Sequence, residues 1–223
     1  ELPGRWPGKP VRRWSNMRVD KMNERPIVPD ENSWDSWSPA ELSRRLSRVS
    51  RPWCVVGGWA LDLWHGKKTR EHEDIEFTIL REDLPLFRSA LRDMAFYTVS
   101  DGVLERLAAD RQPEAGISQI WCFDRPAGRW RADMMIEPGT DERWAYKRDP
   151  QLTRPRSEMV ARTASGIPYL SPSAVLLFKA KHRRPKDEED FARAMPGLLP
   201  AERLWLRECL ERLHPHHPWA GML

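Results

Sequence analysis

The sequence of 223 residues is poor in cysteine and has no long apolar run. Its three cysteines are far apart and odd in number, so they fit neither a disulfide framework nor a CxxC metal pattern. A reducing cytoplasm is the simplest setting for them. No apolar segment approaches the roughly 18 residues of a membrane span, and residues 1–10 lack the apolar region of a signal peptide. We therefore expect a cytoplasmic protein with no membrane partner.

Neither sign of charge dominates the composition. The chain has 37 basic and 33 acidic residues and a net charge of +4. This balance permits an anionic partner such as a nucleotide or RNA without requiring one, because the charges are interspersed. The twelve tryptophans are unusual, but most fall in amphipathic segments, which favours a packing role over base stacking.

The chain divides into three parts by its pattern, and it contains no internal repeat. Residues 1–33 are rich in proline, arginine and polar residues and predict an irregular extension, in which Met17 and Met22 are candidate natural start residues. Residues 34–145 alternate between strand and helix patterns, and residues 146–223 are predicted to form a helical C-terminal region. Strands followed by helices indicate an α+β fold.

Several segments carry recognisable start and stop signals. Ser38-Pro39-Ala40-Glu41 predicts a helix start, with Ser38 as its cap and Glu41 closing a capping box. A short apolar strand then ends in Gly57-Gly58, and the helix that follows stops at Gly66. The remaining patterns predict strands at residues 75–80, 97–99, 117–123 and 129–136, a helix capped by Asp83, and C-terminal helices at residues 171–181, 187–194 and 200–213.

Two carboxylates, Asp74 and Glu76, lie two residues apart in the predicted strand at residues 75–80 and its entry. Side chains at i and i+2 of a strand point to the same face, so these two would project together. Close anions repel, and a shared Mg²⁺ would neutralise them because it prefers oxygen ligands. The alternative is an exposed strand face that happens to be acidic.

Glycines and an arginine precede this acidic pair. Gly57 and Gly58 stand at a strand-to-helix junction, where glycine lets the backbone and a helix N-terminus approach a phosphate. Arg70 lies shortly before Asp74 and could contact a phosphate with two donors. The alternatives are a tight turn and a surface arginine.

A third carboxylate, Asp133, lies inside the apolar strand at residues 129–136. Burying it is costly unless it is paired or metal-bound. If this strand neighbours that of Asp74, three carboxylates converge as two-metal catalysis requires.

The stretch Gly57-Gly58-Trp59-Ala60-Leu61-Asp62, with Gly66 and Thr69-Arg70-Glu71-His72-Glu73-Asp74-Ile75-Glu76, resembles the polymerase β-like nucleotidyltransferases. It is most similar to the branch of aminoglycoside 2''-adenylyltransferases and lincosamide nucleotidyltransferases, over about residues 53–137. The resemblance implies a mixed sheet flanked by helices and a helical C-terminal region. It departs from the family at Glu76, because most members have Asp-x-Asp, and the extra methylene moves the carboxylate by roughly 1.5 Å.

The resemblance also implies a reaction. A nucleoside monophosphate, AMP or another, would pass from a nucleoside triphosphate to an acceptor hydroxyl, with release of pyrophosphate and two Mg²⁺ ions as cofactors. Asp74 and Glu76 would hold the metals, and Asp133 would hold the catalytic metal or act as the base. The phosphates would contact Gly57, Gly58, Arg70 and Lys179, and His72 is expected to order the loop before the acidic strand.

A second, looser resemblance concerns the C-terminal region. Lys179-Ala180-Lys181, Lys186-Asp187 and Asp190 resemble motifs of nucleotidyltransferase toxins, in which such lysines can contact triphosphate. A solvated basic helix face is the alternative for both Lys179 and Lys181.

Three functions therefore remain open. The first is an enzyme that modifies an aminoglycoside-like small molecule, with Glu137, Asp141 and Glu142 helping to line an acidic acceptor pocket. The second is a toxin-type enzyme that acts on tRNA or protein. The third is a non-catalytic nucleotide-binding relative, in which Glu76 marks lost activity. The sequence does not give the oligomeric state.

Overall fold

The computed structural model describes residues 29–223. The predicted extension at residues 1–33 lies almost entirely outside the described residues, as do Met17 and Met22. The described part of the chain forms an eight-stranded mixed sheet, a separate two-stranded hairpin and seven α-helices.

The elements follow in chain order. The helices are α1 (Pro39–Arg45), α2 (Gly57–His65), α3 (Leu84–Ala90), α4 (Arg156–Met159), α5 (Pro172–Ala180), α6 (Pro185–Ala194) and α7 (Pro200–Leu213). The strands are β1 (Trp53–Val55), β2 (Glu76–Leu80), β3 (Ala95–Ser100), β4 (Val103–Arg106), β5 (Gln119–Asp124), β6 (Arg129–Glu137), β7 (Arg143–Tyr146), β8 (Asp149–Pro155), β9 (Val160–Arg162) and β10 (Pro168–Leu170).

The large sheet has the order β4-β3-β5-β6-β2-β1-β10-β9, and β7 and β8 form the hairpin. Two pairs are parallel, β2 with β6 and β1 with β10, and the others are antiparallel. The pairing of β2 with β6 places Glu76 opposite Asp133. The strand of the acidic pair and the strand of Asp133 are therefore neighbours.

The predicted helix boundaries follow from local chemistry. The Ser38 hydroxyl accepts a hydrogen bond from the Glu41 N–H at 3.2 Å, as a capping residue should. Gly66 ends α2 in a left-handed conformation at φ +70°. Asp83 occupies the predicted N-cap position of α3, but its side chain makes no capping hydrogen bond. Its carboxylate instead accepts a hydrogen bond from Arg51 Nε at 2.6 Å.

The C-terminal region contains strands as well as the predicted helices. Helices α5, α6 and α7 are present close to their predicted positions. Strand β10 pairs with β1 and so adds to the large sheet. Its residues belong to the C-terminal region predicted to be helical. Strands β9 and β10 are three residues long, which is too short for an alternating pattern to show.

The main hydrophobic core joins the sheet to the C-terminal helices. It includes Val55 of β1, Phe77 of β2, Leu176 of α5 and Leu206 of α7, all fully or almost fully buried. Large aromatic side chains fill much of this interior, since Trp130, Trp144 and Trp219 are among the largest fully buried residues; for these the predicted packing role is confirmed. No helix in residues 29–223 is long and apolar enough to cross a membrane.

The packing of Trp219 yields a stability prediction. Its ring stacks on Phe191 at 4.2 Å between centroids and 7° between planes, and its Nε1 donates to Glu188 at 2.7 Å. We expect Trp219→Ala to lower the free energy of unfolding by about 3–5 kcal/mol, measured by urea denaturation. Leu204→Ala, at a side chain that is 54% exposed, is the control and should change it by less than about 0.5 kcal/mol. Equal effects would contradict this packing.

Candidate active site

Two carboxylates meet at the start of β2. Glu76 is the first residue of that strand, and it lies in register with Asp133 of β6. Paired residues of neighbouring strands point to the same face, so both carboxyl groups share one side of the sheet. Asp133 is 2% exposed and Glu76 is partly buried. Asp74 is exposed and lies just before β2, at the entry of the predicted strand and next to the site.

These carboxyl groups resist ionisation. Burial raises the pKa of Glu76 to about 7, the negative charge of Asp74 adds to the rise, and Lys179 opposes it. Burial also holds the pKa of Asp133 well above its usual range, with Glu76 as the next cause, while a hydrogen bond from Gln119 works against the rise. A bound cation would favour the charged form of both groups.

One oxygen of Asp133 is unsatisfied. Oδ2 accepts a hydrogen bond from Gln119 Nε2 at 2.6 Å, whereas Oδ1 is buried without a hydrogen-bond partner. Residues 29–223 contain no three His, Cys, Asp or Glu side chains that could hold a metal ion as they stand. A buried free carboxylate oxygen beside Glu76 nevertheless fits a hard divalent cation, with the exposed Asp74 able to turn in as a third ligand.

The glycine pair makes room for the side chains of the site. Gly57 has φ +64°, and a Cβ atom there would lie 1.9 Å from Glu76 Oε2. A Cβ atom on Gly58 would lie 2.3 Å from Arg70 Nη2 and 2.7 Å from His72 Cε1. The absent side chain at Gly57 thus accommodates a carboxylate on the longer glutamate. Contact of these glycines with phosphate stays a prediction.

A buried pair fixes the loop before β2. His72 Nε2 lies 2.6 Å from Asp62 Oδ2, and both side chains are 3% exposed. The Thr69 hydroxyl donates to the other Asp62 oxygen, and Trp59 stacks on the imidazole at 4.4 Å. Burial lowers the pKa of His72, and the hydrogen bond to Asp62 opposes this effect. The geometry agrees with the expected ordering role of His72. The sequence alone did not single out Asp62, although it lies in the same motif.

A cluster of ion pairs connects α5 and α6 to this loop. Lys179 is buried, and its Nζ lies 3.0 Å from Asp187 Oδ1 and 2.9 Å from Asp190 Oδ2. Arg70 donates two hydrogen bonds of 3.1 Å to Asp190. Asp190 therefore holds two of the predicted phosphate-binding cations in one place. Lys179 is not on a solvated basic face, whereas Lys181 is exposed.

Two of the acids expected in an acceptor pocket are engaged elsewhere. Glu137 is 6% exposed and forms an ion pair with Arg156. Asp141 accepts two hydrogen bonds of 2.6 Å from Arg51. These arginines neutralise both carboxylates, so neither supplies a free negative charge to a pocket.

Residues 40–193 match the aminoglycoside-2''-adenylyltransferase family. The chain belongs to this family. The match spans all the residues singled out above, and it confirms both the expected branch and the expected enzyme class, a nucleotidyltransferase. No curated protein sequence matches the chain.

Two solved structures of ANT(2'')-Ia, at low sequence identity, show the fold of this family member, and a third structure is a weaker match. The solution structure of the antibiotic-resistance factor ANT(2'')-Ia has 16% identity and a TM-score of 0.52, covering 82% of this chain and 91% of its own. The crystal structure of ANT(2'')-Ia in complex with adenylyl-2''-tobramycin has 13% identity and a TM-score of 0.53, covering 78% and 95%. The lincomycin-bound lincosamide adenylyltransferase LnuA has 17% identity and a TM-score of 0.48, covering 69% and 91%. The predicted α+β nucleotidyltransferase fold is confirmed.

The space at Gly57 can be tested by filling it. We expect Gly57→Ala to reduce activity by at least about 10²-fold, because the new methyl group would displace the Glu76 carboxylate from beside Asp133. Gly102→Ala is a matched control: Gly102 has a similar φ of +75° but nothing within 4 Å of its Cβ position. Both variants carry the backbone strain, and only the first carries the clash. Equal activities, measured as nucleotide transfer, would contradict the role assigned to this space.

The buried position of Lys179 predicts a stability effect. Lys179→Met leaves Asp187 and Asp190 without a shared cation, and we expect it to lower the free energy of unfolding by about 3 kcal/mol. Lys181→Met changes an exposed lysine two residues away and should cost less than about 0.5 kcal/mol. Chemical denaturation of the two variants measures this difference, and similar values would show that the ion cluster contributes little.

Proposed function

We propose that this protein is a metal-dependent nucleotidyltransferase that transfers AMP, or another nucleoside monophosphate, to a hydroxyl of an aminoglycoside-like molecule and releases pyrophosphate. The observation that carries the proposal is the unpartnered Oδ1 of Asp133 beside Glu76, inside the segment that matches the family. A buried carboxylate oxygen without a partner is costly, and substrate or metal would satisfy it.

Glu76, Asp133 and Asp74 would hold the divalent metal, for which we propose Mg²⁺ and two ions. When bound, the metal supplies positive charge that neutralises the carboxylates and the triphosphate. The donor set supports this assignment because all three ligands offer oxygen, which Mg²⁺ prefers.

The other residues bind and orient the substrates. The first turn of α2, which begins at Gly57, offers backbone N–H groups to a phosphate. Arg70 lies against Gly58 at the start of α2 and would contact the phosphates, and the buried Lys179 holds the Asp190 side chain that orients it. Burial excludes water around Asp133, whose carboxylate would be the base for the proton of the acceptor hydroxyl.

The bonds then change in one displacement. The acceptor oxygen forms a bond to the α-phosphorus as the bond from that phosphorus to the bridging oxygen of pyrophosphate breaks. The hydroxyl proton passes to Asp133, and pyrophosphate leaves with the electron pair of the broken bond.

Family membership supports an antibiotic as the acceptor, since the matched family is named for aminoglycoside 2''-adenylylation. The toxin-like acids Asp187 and Asp190 are accounted for by their ion pairs with Lys179, so they give no separate support for tRNA. A cytoplasmic location is supported by Cys54, Cys122 and Cys209, which are all free and buried.

Transfer of label tests this proposal. The protein is incubated with Mg²⁺ and each α-labelled nucleoside triphosphate, with aminoglycosides, lincosamides or bulk tRNA as acceptors. We expect labelled aminoglycoside, and a loss of at least about 10²-fold in Asp74→Asn and Asp133→Asn. Asp101→Asn is the control, because Asp101 is exposed and has φ +50°, a conformation that asparagine tolerates.

The other outcomes decide between the alternatives. Label in tRNA that depends on Asp74 would identify a toxin-type enzyme. No transfer to any acceptor, together with no binding of a nucleoside triphosphate, would identify a non-catalytic relative.

A further inference from the structure

Strand β5 lies beside β6 and presents two polar groups to Asp133. Gln119 and Trp121 are two residues apart on β5, so their side chains share one face of the sheet. Trp121 lies directly opposite Asp133 in the antiparallel register. The face of β5 next to the carboxylates therefore consists of an amide and an indole.

Gln119 determines which oxygen of Asp133 is available. Its Nε2 donates to Oδ2 at 2.6 Å, and this bond holds the carboxyl group in one orientation. Oδ1 then stays buried without a partner. Without the amide, the carboxyl group could rotate and exchange its two oxygens.

Trp121 offers a donor that has no acceptor. Its indole is partly buried and packs edge-on against Trp34 at 5.0 Å and Trp130 at 5.2 Å, which fixes the ring. Its Nε1 is buried without a hydrogen-bond partner. Trp121 lies opposite Asp133 in the strand pairing, but its N–H does not reach hydrogen-bond geometry with that carboxyl group.

An unsatisfied donor thus stands across from an unsatisfied acceptor. A hydroxyl group satisfies both at once, because its oxygen accepts one hydrogen bond while its proton is donated in another. Leaving both groups unpaired in a buried place is costly. The pair fits a ligand hydroxyl better than an amine cation, which cannot accept from the indole.

We propose that β5 forms the binding site of the acceptor hydroxyl, in which Trp121 Nε1 donates to the acceptor oxygen and Gln119 fixes Asp133 so that Oδ1 faces the hydroxyl group. This inference rests on the proposed function and adds two residues to it. Trp121 contacts the substrate, and Gln119 acts through Asp133.

Steady-state kinetics separate the two roles. Trp121→Phe keeps an aromatic ring but removes the N–H, and we expect KM for the acceptor to rise about 3–10-fold with KM for the nucleotide unchanged. Gln119→Met keeps the chain length but removes the amide, and we expect kcat to fall about 10–100-fold with little change in either KM. The controls are Trp53→Phe on β1 and Gln151→Met on β8, which make the same chemical changes elsewhere and should leave both constants unaltered.

A binding experiment tests Gln119 without catalysis. Mn²⁺ is titrated calorimetrically into the full-length protein, Gln119→Met, Asp133→Asn and the double variant. We expect Gln119→Met to weaken Mn²⁺ binding several-fold, and to have no further effect in the Asp133→Asn background, because the amide acts only through that carboxylate. Trp121→Phe should bind Mn²⁺ as the unaltered protein does. Circular dichroism and the melting temperature show whether each variant is folded.

The outcomes distinguish this inference from the proposed function. If the unaltered protein transfers nucleotide and Trp121→Phe has an unchanged KM for the acceptor, the proposed binding site for the hydroxyl is wrong and the proposed function stands. A loss of Mn²⁺ affinity in Gln119→Met that persists in the Asp133→Asn background overturns the positioning role. If the unaltered protein transfers nucleotide to no acceptor, the proposed function and the proposed binding site for the hydroxyl are both wrong. The Mn²⁺ titrations of the single and double variants still decide the role of Gln119.

Discussion

The repulsion between Glu76 and Asp133 is the constraint to which the rest of the site responds. The parallel pairing of β2 with β6 sets the two carboxyl groups side by side, and burial raises the pKa of both. The surrounding residues either make room for this pair or offset its charge. Gly57 leaves space for the glutamate, Gln119 binds one oxygen of the aspartate, and the buried Lys179 supplies positive charge. In the proposed function, a divalent cation would offset the negative charge that remains.

The site also depends on residues far apart in the chain. Asp190 of α6 binds Arg70 from the loop before β2 and Lys179 from α5, so the C-terminal helices fix cations beside carboxylates of the sheet. Strand β10 strengthens this connection, because it pairs with β1 directly before the turn into α2. The position of the glycine turn is therefore set by both halves of the chain. A change in α6 can therefore affect the loop before β2, to which the proposed function assigns phosphate binding.

Signals that act over a few residues could be predicted from the sequence, and pairings over long distances could not. Pro200 and the Ser38-Pro39 start identified their helices because capping is local. The motif around Asp74 and Glu76 identified the family. The pairing of Glu76 with Asp133 needed the sheet order, and the partners of Glu137 and Asp141 needed the folded positions of two arginines. Gln119 was missed because a glutamine in a strand carries no pattern. Its role appears only when β5 lies beside Asp133.

The proposed function requires that Glu76 and Asp133 share a divalent cation when nucleotide binds. A crystal structure with Mn²⁺ and a non-hydrolysable nucleoside triphosphate, analysed by anomalous scattering, tests it most directly. We predict a Mn²⁺ peak coordinated by a Glu76 oxygen and by Oδ1 of Asp133, with Asp74 turned in from its exposed position and Gln119 still bound to Oδ2. Nucleotide bound at another site would contradict the proposed function. So would nucleotide bound here with Mn²⁺ if Oδ1 of Asp133 lies outside the coordination sphere of the metal.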